Sequence, residues 1–214
     1  MNYMIYLMKI IEIIALLVGW YTFRHLPRTY KIIVMYISIS TIAGLLAITL
    51  AIEYGNNYIL FHFYTPIELI IITLFILTII NTKTIKFVSG FVLVFYLIIW
   101  TVSKFTFESF NQIDNITGSL SNAIIFILAT YAIFKVKYFS NKSILKNPYV
   151  ITLVGIMLYF GGNLFVYALY NNFNIYQSAL GMQIWKIHNV LHIFLDISFI
   201  YSFYLFEKMA SNGD

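Results

Sequence analysis

The segment HNVLHIFLD places His188, His192 and Asp196 at intervals of four residues. On an α-helix that spacing puts all three on one stripe. Two imidazoles and a carboxylate in a row can form a hydrogen-bonded ladder, ligate a metal through the histidines, or hold a ligand or pass a proton. A second segment, FHFYTPIEL, brings His62, Tyr64, Thr65 and Glu68 into another apolar stretch. Lys9 and Glu12 stand three apart, the spacing of an intrahelical ion pair. Ser119, Asn122 and Asn163 add neutral hydrogen-bonding groups.

The elements that must position these groups are membrane helices. Of 214 residues, 61% are hydrophobic and 10% charged, and the mean hydropathy is +0.86; a soluble domain carries roughly 25% charged residues. Apolar runs long enough to cross a bilayer are expected at about 3–23, 31–53, 58–81, 87–104, 116–138, 149–171 and 183–206. Short polar or turn-rich breaks separate them, the first around Pro27. The fold class expected is all-α: one seven-transmembrane-helix domain spanning 1–214, with no soluble catalytic domain. The first apolar run has neither a basic leader before it nor a small-residue cleavage site after it, and reads as a retained helix.

The net charge of +5 does not point to nucleic acid, because the basic residues fall in interhelical loops. Arg24, Arg28, Lys31, Lys83, Lys86, Lys135, Lys137, Lys142, Lys146 and Lys208 lie in the first, third and fifth loops or the C-terminal segment. Only Lys9, Lys104 and Lys186 lie toward the opposite face. The positive-inside rule then puts the N-terminus outside and the C-terminus in the cytoplasm. Without cysteine, there is no disulfide, thiolate metal site or cysteine nucleophile.

Ionisable groups inside a membrane cost roughly 2.5–3.5 kcal/mol each on insertion scales and usually face the bundle interior or a wet cavity. Counted inward from the outer helix ends, Glu12, His62, Glu68, Asn122, Asn163, His188, His192 and Asp196 all fall in the outer half, and the cytoplasmic half reads as almost uniformly apolar. An outward-facing polar cavity closed at its base is the expectation. Pro66 removes one helical hydrogen bond, frees the carbonyl of His62 and is expected to kink the third helix, bringing His62 and Glu68 toward one face. Gly155 to Gly162 and Ser119 to Ser121 read as helix-packing sites. Trp20, Trp100 and Trp185 read as interfacial aromatics.

At FHFYTPIEL, NPYVITLVGIMLYFGGNLF and WKIHNVLHIFLDI the chain resembles poorly characterised bacterial seven-helix membrane proteins, either stand-alone or of sensor-module type. That resemblance implies a receptor-like, signalling protein of the bacterial cytoplasmic (inner) membrane, with a small polar or amphipathic ligand or an ion in the outer cavity. The C-terminal segment is short, so a separate signalling partner is expected. The histidine pair of HNVLH is also similar to the zinc site of the ceramidase and adiponectin-receptor membrane hydrolases. This second resemblance implies zinc held by His62, His188 and His192, with Asp196 orienting a ligand histidine and Glu68 as general base. A transport or proton-relay role is a third expectation.

Overall fold

The computed structural model describes residues 3–139, 146–170 and 179–211, without the side chains of 137–139, 169–170 and 179–182. Lys142 and most of the 171–181 break lie outside the described residues. Seven helices follow in order: α1 (Tyr3–Thr22), α2 (Arg28–Tyr54), α3 (Tyr58–Ile80), α4 (Lys83–Thr106), α5 (Asn115–Phe139), α6 (Pro148–Tyr170) and α7 (Ala179–Ser211). Each is long and apolar enough to cross a membrane, which makes the chain a multi-pass helical membrane protein. Backbone hydrogen bonds closed within each helix are what let a chain cross hydrocarbon.

Two of the helices stop where residues tolerate a left-handed turn. α2 ends at Gly55, with φ +75°, and α3 at Asn81, with φ +46°, as expected of C-terminal caps.

Neighbour contacts close a ring in the order α1, α2, α3, α5, α6, α7 and back to α1. α4 stands outside this ring, against α3 and α5. Half of the most apolar window of α6 is buried but only 11% of that of α4, so α4 offers most of its surface to lipid. Glycine lets α6 approach both its neighbours: a Cβ at Gly161 would collide with Phe126 of α5, and one at Gly155 or Gly162 with Ser198 or Leu191 of α7. Small residues allow such close approach in membranes, where dispersion rather than hydrophobic exclusion drives association.

One end of the bundle carries the 23–27 and 81–82 turns, with Arg24, Arg28, Lys83 and Lys86 in or beside them; the other carries the 107–114 segment and the start of α7. At the basic end Tyr30 forms edge-on contacts with Phe75, Tyr149, Phe203 and Phe206. This half is not uniformly apolar. The Tyr30 hydroxyl donates to Thr152 Oγ1 at 2.8 Å, Thr152 to Ser202 Oγ at 2.9 Å and Ser202 to the Pro148 carbonyl at 3.1 Å. The Tyr30, Thr152 and Ser202 hydroxyls are thus all paired, while Thr73 Oγ1 and Ser89 Oγ toward the same end are buried with no partner among the described residues.

Candidate functional site

At the opposite end the ring opens into a cavity of about 640 Å³. Its apolar wall comes from α2, where Ser40, Gly44, Ala47 and Ala51 share one face, and from Ile5 and Met8 of α1. Its polar wall combines Tyr64, Thr65 and Glu68 of α3, Asp114, Tyr159 and Tyr167, and Trp185, His188, Asn189 and His192 of α7.

Glu68 Oε1 accepts hydrogen bonds from the hydroxyls of Tyr36 at 2.8 Å and Tyr64 at 3.2 Å. Thr65 Oγ1 donates to Asp114 Oδ2 at 2.5 Å, while Asp114 Oδ1 is buried with no partner among the described residues. Burial pushes the Asp114 carboxyl up to about 6 from its ordinary value near 4, against the opposing effect of the Thr65 hydroxyl; the Glu108 charge raises it further and Lys104 lowers it. On α7, Trp185 stacks on His188 with centroids 4.8 Å apart, and His188 Nδ1–H donates to Asn163 Oδ1 at 2.9 Å. Asn189 Nδ2 and His192 Nδ1 are buried and unpartnered among the described residues.

Several predicted residues stand behind the wall rather than on it. Glu12, 1% exposed, pairs with Lys9 at 2.5 Å and accepts from Ser40 Oγ at 3.0 Å, so it acts through two lining residues. Asn163 holds His188. Asp196 Oδ2 lies 3.6 Å from His192 Nδ1, beyond hydrogen-bond range, so the expected ladder is a stripe in geometry but not a continuous bonded chain. Asn122 is buried in α5 and does not line the cavity.

His62 is the principal correction. It does not join His188 and His192, nor does it share the cavity face with Glu68. It points toward α4 and the 107–114 segment, where Nε2–H donates to the Gln112 carbonyl at 2.8 Å and Nδ1 accepts from Lys104 Nζ at 2.6 Å. Both ring nitrogens are thereby used, which defines the neutral Nε2–H tautomer. Among the described residues no group of three His, Cys, Asp or Glu could hold a metal ion. The proposed zinc set of His62, His188 and His192 is therefore not assembled.

A densely bonded polar cluster surrounds that histidine, and the helical pattern did not single it out. Lys104, with a side chain only 2% exposed, donates to Glu108 Oε2 at 2.9 Å. Glu108 Oε2 also accepts from the Thr117 hydroxyl, and Oε1 accepts from the backbone N–H of Ile116 at 2.7 Å. A carboxylate there caps the start of α5. These donors hold the Glu108 carboxyl below the usual range despite its burial. The i, i+4 spacing of Lys104 and Glu108 was the available signal. Asn189, inside HNVLH itself, is a second residue the reading passed over.

The site thus belongs to a helical membrane protein with an end-opening cavity. The chain matches no protein-family model, no curated protein and no solved structure.

Proposed function

We propose that the chain is a receptor-like, sensory protein of a bacterial cytoplasmic membrane that binds a small ligand in this cavity. One observation carries the reading: Asp114, Asn189 and His192, each with a buried polar atom that has no partner among the described residues, line a space of about 640 Å³. Ligand pockets commonly measure roughly 300–1,000 Å³, and an unpaired buried polar atom costs about 1–3 kcal/mol that a ligand can recover. The loop charges favour an arrangement in which the cavity and the N-terminus face outside. Signalling then passes through a separate membrane or cytoplasmic partner that senses the packing of α1, α2 and α7 around the ligand.

The test is thermal unfolding in lipid nanodiscs against a panel of small amphipathic acids, amines and alcohols. At least one should raise the midpoint saturably in the native protein, and the increase should vanish in Ala47→Phe, which fills the apolar wall. Equal shifts in both proteins, or none in either, would contradict the reading.

A further inference from the structure

We infer that the ligand is a single-chain amphiphile with a cationic amine head and an apolar tail, a conclusion that rests on the cavity being a ligand site. The charges on the wall do not balance. Glu68 and Asp114 both line the cavity, and among the described side chains they accept hydrogen bonds from hydroxyls, Tyr36 and Tyr64 for one and Thr65 for the other. Lys9 also lines the cavity but is already engaged with Glu12 at 2.5 Å, and Lys104, which does not line it, is engaged with Glu108 at 2.9 Å. Asp114 Oδ1 is left without a donor among the described residues. An ammonium would supply a charge-assisted donor of the kind that shortens and strengthens such bonds.

Burial, with the Glu108 charge, disfavours the ionised Asp114, and a cation beside it would reverse that effect. The aromatic rings of Tyr64, Tyr159 and Trp185 also line the cavity, and an amine is favoured beside aromatic rings.

The tail is read from the opposite wall. Ala47 and Ala51 leave an apolar strip along α2 that lines the cavity with Ile5 and Met8 of α1, beyond Gly44, which the Lys9 side chain covers. The far edge of this strip is open, with Ile52 78% and Ile48 47% exposed. It gives onto the lipid-facing side of the bundle, so an alkyl chain can lie along α2 with its head turned inward. An amine without a chain would leave this apolar wall uncovered; an acid would meet two carboxylates.

Equilibrium binding to protein-loaded nanodiscs, with empty nanodiscs subtracting bilayer partitioning, distinguishes these cases. The probes are octylamine, butylamine, octanol and octanoate at pH 7.5. Octylamine should bind one-to-one, at least tenfold tighter than each of the others. Asp114→Asn and, independently, Glu68→Gln should each weaken octylamine about tenfold while changing octanol less than threefold. Octanol or octanoate binding as tightly as octylamine, with Ala47→Phe abolishing it, would overturn the amine but leave the ligand site standing. Butylamine equal to octylamine would overturn the tail. Absence of saturable binding by all four would overturn both this inference and the ligand-site reading.

Discussion

The indole N–H of Trp100 donates to the carbonyl oxygen of His62 at 2.9 Å, the carbonyl that Pro66 deprives of its helical partner. A helix outside the ring thus repairs the one broken rung of α3. Trp100→Phe should leave that carbonyl unpaired and cost about 1–3 kcal/mol. In a Pro66→Ala background the restored N–H can serve the same oxygen, so the cost should shrink markedly. Unfolding of the four proteins in a double-mutant cycle measures this coupling, and equal costs in both backgrounds would remove the proline from the explanation.

Lys104 and Glu108 form a buried pair whose partners cannot be removed singly without leaving a charge behind. Lys104→Met should destabilise by about 3–5 kcal/mol. The Glu108 carboxyl is held below its ordinary value, so its contribution is present above pH ~4.5 and lost as pH falls through the lowered value. Glu108→Gln should therefore differ from the native protein at pH 7 and converge with it in acid, as read from unfolding midpoints.

Asp114 carries the opposite sign. Its carboxyl is raised to about 6, so its protonated form favours folding below pH ~4 and that advantage is lost as pH rises through 6. Glu108, Lys104, Glu68 and Tyr96 are the ionisable groups coupled to it, and His188 and His192 share its cavity. Asp114→Asn should raise the unfolding midpoint at pH 8 and leave it nearly unchanged at pH 4. A variant less stable than the native chain at pH 8 would contradict the account of Asp114 as a group kept at a cost to stability.

Orientation is tested by single cysteines, because the native chain has none. An impermeant thiol reagent on intact cells should label a cysteine replacing Ser109, which is exposed in the 107–114 segment, and spare one replacing Lys83. The reverse pattern would turn the cavity toward the cytoplasm.

The number and approximate ends of the helices were legible because hydrophobic runs of bilayer length leave little freedom: α3 was expected at 58–81 and spans Tyr58–Ile80. Depth grouped Glu68, His188 and His192, and all three line one cavity. Azimuth was less legible. His62 and Glu68 are separated by six residues, and which of them faced the ring depended on α4 docking outside it. The 107–114 segment supplied Asp114 through loop geometry, for which helical periodicity has no counterpart. Trp100 and Trp185 read as interfacial aromatics, yet one repairs α3 and the other stacks on His188.

The central claim, that an amphiphile lies in the cavity with its head at Asp114, is tested most directly by a crystal structure of the protein with 8-bromooctylamine. The account predicts a single anomalous bromine peak between α1 and α2 beside Ala47 and Ala51, with the amine nitrogen about 2.7–3.2 Å from Asp114 Oδ1. A bromine on the outer surface of the bundle with the cavity filled by water, or a chain reversed so that bromine sits beside Asp114, would contradict it.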